Sequence, residues 1–274
     1  MRKLARLAAF TLLATLAVAA VASPVSSGDE VVRKVRLYVE ARDCVAAVAR
    51  LNEGLAKKYP EVNLLAGAMF EHGVCFKPDW DRAVGFYSNA FDGGQRAAIY
   101  SLMSGFAAPE HGPDMAAALW WANRPNDEFA VEGCKISDAS RGDPDRFVEE
   151  LRTWPQPRLA RCNYLVGVMA TLGGEIRYPA KAERYSLGGS LKLRFVPAVP
   201  RIDIETEEIR ELAIGGWLDG NAMEDRRSRS VKGSFEDSLR QIADRALQRY
   251  PRPAGLASDL VITSKFIFAV DYAQ

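Results

Sequence analysis

The sequence predicts an α+β chain of more than one domain. An α-α helical repeat array is expected over residues 29–172, and a small α+β domain with an antiparallel sheet and one helix over 176–274. Three observations predict this. Apolar residues recur at three and four through the first half, with breaks at glycine, proline or aspartate, the spacing of one buried helix face. A block of residue types within that half returns 35 positions later. Beyond residue 189 the period falls to two, as in a half-buried strand.

Residues 1–22 read as a signal peptide. Met1-Arg2-Lys3-Leu4-Ala5-Arg6 is basic, 7–21 is apolar, and Ala20-Val21-Ala22 has the small-x-small form of a cleavage site. The apolar run falls short of the roughly 20 residues that a membrane span requires. Loss of Arg2, Lys3 and Arg6 takes the formal net charge from +1 to −2. The near-neutral remainder has no cationic excess for nucleic-acid phosphates, and no later apolar stretch is long enough to span a membrane. Neither nucleic acid nor a membrane span is therefore expected of the mature chain.

Four cysteines in an exported chain imply two disulfides. Three connectivities are available. Cys44 with Cys75 and Cys134 with Cys162 is preferred, because each pair links neighbouring helices and closes a loop of roughly 30 residues, worth about 3 kcal/mol. No Cys-x-x-Cys occurs and no histidine lies at ligand spacing from the cysteines, which speaks against a redox or zinc site.

The helices follow in order. Val31, Val35, Leu37 and Val39 begin the first. Asp43 is placed to cap the second, whose face includes Val45, Val48, Leu51 and Leu55 before the stop at Tyr59-Pro60. Asp79-Trp80-Asp81-Arg82-Ala83-Val84-Gly85-Phe86-Tyr87 then finds its counterpart in Asp114-Met115-Ala116-Ala117-Ala118-Leu119-Trp120-Trp121, with aspartate, alanine and aromatic in register. A fixed period of this size marks a helical repeat array. With Leu65-Ala66-Gly67-Ala68-Met69-Phe70-Glu71-His72-Gly73 ahead of it, the first block resembles the Sel-one-like repeat, a relative of the tetratricopeptide repeat. The second copy departs from that pattern at Ala122 and at Pro109. Further helices are expected over 129–137, 143–151 and 158–172, with Pro144 at a first helical position and an irregular connection at Trp154-Pro155-Gln156-Pro157.

Gly173-Gly174-Glu175-Ile176 is expected to link the halves. Beyond it, Tyr178-Pro179 with Ala182, then Gly189, Leu191, Leu193 and Phe195, resemble in order and spacing the opening of the TonB carboxy-terminal domain. The resemblance implies a periplasmic α+β domain. Ser234-Phe235-Glu236-Asp237 reads as a capped helix start, followed by the stripe Leu239, Ile242, Ala243, Ala246 and Leu247 and a stop at Tyr250-Pro251. Residues 260–270 read as the closing strand. The middle departs from the family: its short hairpin is replaced by Pro197-Ala198-Val199-Pro200, an acidic run over 203–208, Gly215-Gly216-Trp217 and a charged stretch over 219–232. The second strand is either 201–206 or 212–218, and 225–230 reads as a solvated loop.

Nothing in the sequence reads as catalytic: there is no Gly-x-Ser-x-Gly elbow, phosphate-binding glycine loop or His-Glu-x-x-His helix. The expectation is a periplasmic protein-binding or peptide-binding scaffold without cofactor or chemistry, its partner a periplasmic or outer-membrane protein or peptide. The TonB family adds a transporter segment to a sheet edge; the retained anchor and proline-rich stretch of the energy transducer are not found here, so energy transduction is not expected. Two alternatives stand beside this. Glu71-His72-Gly73 and Glu110-His111-Gly112 repeat a tripeptide that holds both histidines, so His72 and His111 are the candidates for a metal-dependent hydrolase, although two histidines leave an incomplete ligand set. A regulator binding a peptide or cell-wall fragment would use Trp80, Tyr87, Trp120 and Trp121, of which at least half are expected to be buried.

Overall fold

The computed structural model describes residues 26–124, 131, 133–176, 187–211 and 221–268. Nine α-helices lie among them: α1 (Ser27–Glu40), α2 (Cys44–Ala56), α3 (Pro60–Glu71), α4 (Trp80–Asp92), α5 (Ala98–Ala107), α6 (Met115–Ala122), α7 (Pro144–Arg152), α8 (Gln156–Glu175) and α9 (Asn221–Arg249). The strands β1 (Leu187–Val196), β2 (Arg201–Glu211) and β3 (Ile262–Phe268) form one antiparallel sheet in the order β2-β1-β3. The fold is thus mixed α+β. The signal segment 1–22, with Tyr178, Pro179 and Ala182, lies outside the described residues, as do Gly215-Gly216-Trp217 and the strand alternative 212–218.

Aspartate starts four of the helices by the same device. The side chains of Asp43, Asp79 and Asp114 each accept from the backbone N–H three residues on, at 2.9, 3.0 and 2.9 Å. Asp143 accepts from Asp145 and Arg146, both at 3.1 Å. Each satisfies N–H groups that the first helical turn leaves without a partner. Asp79 and Asp114 are also matched in the turn before them, where their own N–H groups donate to Phe70 and Phe106 at 2.9 Å. The Gly73 and Gly112 turns adopt φ of +69° and +74°, a left-handed conformation that glycine takes at little cost.

Packing corrects the helical expectations in several places. On α1 and α2, Val31, Val35 and Leu51 are buried, but Leu37 is 51 % exposed and Val45 84 %. A short helix pair buries one stripe, and these two lie off it. No helix forms over the described part of 129–137; Asn123 instead bonds that segment to the end of α6. Gly173 and Gly174 belong to the last turn of α8, not to a linker. That helix is apolar on nearly every side, with an unbroken buried run over 164–172, and so must be surrounded.

What surrounds α8 comes from both halves. One apolar cluster joins Met103 of α5, Leu119 of α6, Leu165 and Met169 of α8, Leu191, Leu193 and Phe195 of β1, and Phe235, Leu239 and Ile242 of α9. Two smaller clusters fill α1–α3 and the region between α3, α4 and α5. The core is therefore continuous across residues 172–176.

The second strand and the helix differ from expectation for local reasons. In β2 the acidic residues Asp203, Glu205 and Glu207 alternate with Ile202, Ile204 and Thr206, so the acidic run is itself a period-two pattern. The strand extends the alternative 201–206 to Glu211, and 197–200 makes the turn. Ser234 lies within α9 and is not its cap: the helix starts 13 residues earlier, at Asn221, and includes 225–230. That extension contains no proline, and its Ala, Met, Glu, Arg and Lys residues sustain helix without an apolar stripe.

Candidate functional site

The aromatic residues singled out in the sequence separate into two sites. Trp80 and Tyr87 both lie on α4, where they meet a buried charge. Tyr87 is 1 % exposed, and its hydroxyl donates to Glu71 Oε2 at 2.7 Å. The other Glu71 oxygen faces Arg249 Nη2 at 3.4 Å and His111 Nε2 at 3.8 Å. Arg249 also reaches Glu110 at 2.6 Å, and the His111 ring stacks on Trp80 at 4.6 Å. The end of α3, the middle of α4, the turn at 109–111 and the last turn of α9 are thus joined through one carboxylate.

Opposing effects set the charge state of this cluster. Burial pushes the Glu71 carboxyl up, but the His111 and Tyr87 side chains and the charges of His72 and Arg249 together hold it below its ordinary value. Burial and the Glu71 charge push the Tyr87 hydroxyl up. Burial opposes the charge on Arg249, yet Tyr250, Glu110 and Glu71 raise its pKa. The carboxylate and guanidinium are both ionised at neutral pH, and Tyr87 acts only as a donor. The cluster is a polar fastening between the helical half and α9.

Trp120 lines a cleft at the end of α6, while Trp121 stands outside that lining and meets Phe91 edge to face at 5.3 Å. The cleft has a volume of about 220 Å³ and is lined by Trp120, Asn123, Arg124, Arg141, Gly142 and Phe147. Phe147 meets Trp120 edge to face at 5.1 Å. Arg124 lies over both indoles, 4.7 Å from the Trp120 ring centre and 5.2 Å from that of Trp121. Asn123 donates to Leu119 and Cys134 and accepts from Ile136 N–H, which pins the 134–136 segment against α6. The spacing of Arg124 from Trp120 and Trp121, four and three residues, was a readable signal of that stacking. Arg141 carried none, because a turn distant in sequence delivers it.

The sheet offers a third surface. Leu191, Leu193 and Phe195 of β1 are buried beneath α8 and α9, while Lys192 and Arg194 face solvent. Lys192 stands opposite Glu205 on β2 and Lys265 on β3, and Lys265 pairs with Glu207 at 2.7 Å. Gly189 pairs with Ile209 and Phe268, and Phe195 with Ile202 and Ile262, so both fold-motif positions lie on the central strand. Along β3, Thr263, Lys265 and Ile267 are exposed and alternate with half-buried Ile262, Ser264 and Phe266. Ile267 is 73 % exposed.

Both disulfides are formed. Cys44 bonds to Cys75 and Cys134 to Cys162, with Cα separations of 5.2 and 5.5 Å. One end of each bridge lies in a turn, so each fastens a connection to a helix where helix-to-helix links were expected. His72 is exposed, His111 faces Glu71, and among the described residues no group of three His, Cys, Asp or Glu is arranged to hold a metal ion. No helix among those residues is long and apolar enough to cross a membrane. No protein-family model matches this chain, and neither a curated protein nor a solved structure shows significant similarity to it.

Proposed function

We propose that this chain is an exported, periplasmic scaffold without chemistry of its own, which takes up an extended segment of a partner protein along the outer edge of β3. The observation that carries this reading is the state of that edge. Among the described residues β3 pairs with β1 alone, which leaves one row of backbone donors and acceptors for an incoming strand. Edge strands are ordinarily guarded by charge. The opposite edge is guarded in this way, since β2 carries Asp203, Glu205 and Glu207; the exposed side of β3 has only Lys265 and ends in the apolar Ile267.

Two further features support the reading. Paired cysteines belong to oxidising compartments, in keeping with the signal-like residues 1–22. The likeness of Gly189, Leu191, Leu193 and Phe195 to the TonB carboxy-terminal domain points to a family that binds by strand addition. The test is a photo-crosslinking residue placed singly at Thr263, at Ile267 and, as a control, at the exposed Val45 of α2. The same periplasmic protein or peptide is expected as an adduct from both β3 positions and not from Val45. No adduct from β3, or the same adducts from all three positions, overturns the proposal.

A further inference from the structure

The cleft at the end of α6 points to a ligand of its own. We infer that Arg124 and Arg141 bind a carboxylate group there, between the walls formed by Trp120 and Phe147. Among the described residues the lining contains two guanidinium groups and no acidic side chain. Arg124 has no carboxylate partner among the described residues, and its Nε is buried without a hydrogen-bond acceptor. That atom is closed to solvent and to a ligand alike; what Arg124 offers the cleft, as one of its lining residues, is the remaining donors of its guanidinium. Arg141 contacts Asp138 at 3.1 Å, but the Asp138 side chain is 91 % exposed, so that pair is weak and leaves Arg141 with donors to offer.

The site is built before any ligand arrives. Trp120 and Trp121 hold the Arg124 guanidinium over their faces, Phe147 holds Trp120 edge-on, and the three bonds of Asn123 with the Cys134–Cys162 bridge fix the adjoining segment. A fork of planar donors restrained in this way suits the two oxygens of a carboxylate. Gly142 has φ of +91° and nothing within 4 Å of where a Cβ would stand, so the wall is open at that point.

Two facts favour carboxylate over phosphate. The neighbouring helix start, where backbone N–H groups gather for phosphates, is α7, and Asp143 already occupies those groups. The volume of about 220 Å³ lies below the usual range for sites that enclose large ligands, and it suits a group the size of one amino acid. Such a carboxylate comes either from a peptide terminus or from a free small acid. The inference does not rest on the β3 edge, since none of the described residues that line the cleft belongs to β3.

Isothermal calorimetry on the oxidised chain tests it with four probes: N-acetyl-Ala-Ala, its carboxy-terminal amide, acetate and inorganic phosphate. Saturable binding of the free dipeptide is expected, with about a tenfold or greater loss for the amide and a similar loss in Arg124→Gln. Dipeptide tighter than acetate assigns a chain terminus; equal affinity assigns a small acid, and either supports the carboxylate site. No saturable binding of any carboxylate, phosphate binding more tightly than both, or unchanged affinity in Arg124→Gln overturns it. Should that variant fail to fold, Arg141→Gln, altered at a side chain 34 % exposed, is judged by the same outcomes.

Discussion

Glu71 carries a charge into a place where charge is expensive, and it is retained because donors meet it from several elements. Tyr87 and Arg249 reach it from α4 and α9, and the His111 ring of the 109–111 turn lies 3.8 Å away. Removing the carboxylate charge weakens the bond from Tyr87 and leaves Arg249 with only the half-exposed Glu110. Glu71→Gln is therefore expected to lower stability by about 1–3 kcal/mol at pH 7, read from the midpoint of urea unfolding. The pH dependence has a definite sign. The folded carboxyl titrates below its ordinary value of 4.5, so its contribution is complete above 4.5 and is lost as pH falls through the lower folded value. The loss of stability on acidification below 4.5 is expected to be shallower in Glu71→Gln than in the natural chain. Equal slopes would remove Glu71 from the account.

Elements in this fold are brought close by placing an aromatic ring where a helix has glycine. The Tyr87 ring of α4 lies against Gly67 of α3, Trp80 of α4 against Gly105 of α5, and Tyr250, after α9, against Gly167 of α8. A Cβ built at these glycines would stand 2.5, 2.0 and 2.5 Å from the ring in question, well inside contact distance. The Gly167 contact has the widest reach, because the Tyr250 hydroxyl donates to the Ser104 carbonyl and bonds Thr171. Burial pushes that hydroxyl up to about 12, so it stays a donor at neutral pH. Gly167→Ala is expected to destabilise by about 1–3 kcal/mol through overpacking, with Tyr250 displaced. Thermal unfolding reads the loss, and Gly85→Ala, at a position with open space for a Cβ, is the control expected to show none. The sequence placed Tyr250 at a helix end, but it could not join Tyr250 to Gly167. They lie 83 positions apart, and no periodicity spans that distance.

At the scale of the molecule, α8 is the centre on which both halves depend. Its unbroken buried run is covered by α5 and α6 on one side and by β1 and α9 on the other. A fragment covering 26–176 would expose Leu165, Met169 and Leu172 among others, and a helix apolar all round is not stable in water. The fragment is expected to keep helical far-ultraviolet dichroism, lose its near-ultraviolet signal and bind ANS. A cooperative unfolding transition in the fragment would show that the helical half folds alone. Reduction of the disulfides is a separate lever: opening either loop is expected to cost about 3 kcal/mol, read as a fall in Tm on adding reductant.

The sequence by itself determined the features that depend on near neighbours. The aspartate caps, the α4 and α6 blocks, the alternation of β1 and the stop at Tyr250 follow from residues within one turn or one strand, where spacing and capping chemistry suffice. It also pointed to the two cysteine pairings, because each preferred pair joined segments that are neighbours along the chain. Only the tertiary structure decided that Tyr87 is a core donor while Trp120 walls a cleft, that Arg249 reaches Glu71, and that the 225–230 stretch continues a helix. Burial and partnership at these positions depend on which distant element arrives, and identical residue types at identical helical spacing meet different neighbours. The continuity of the core across Gly173-Gly174 has the same cause: α8 reads locally as the last helix of an array, and only the arrival of β1 and α9 on its far side makes it the middle of the protein.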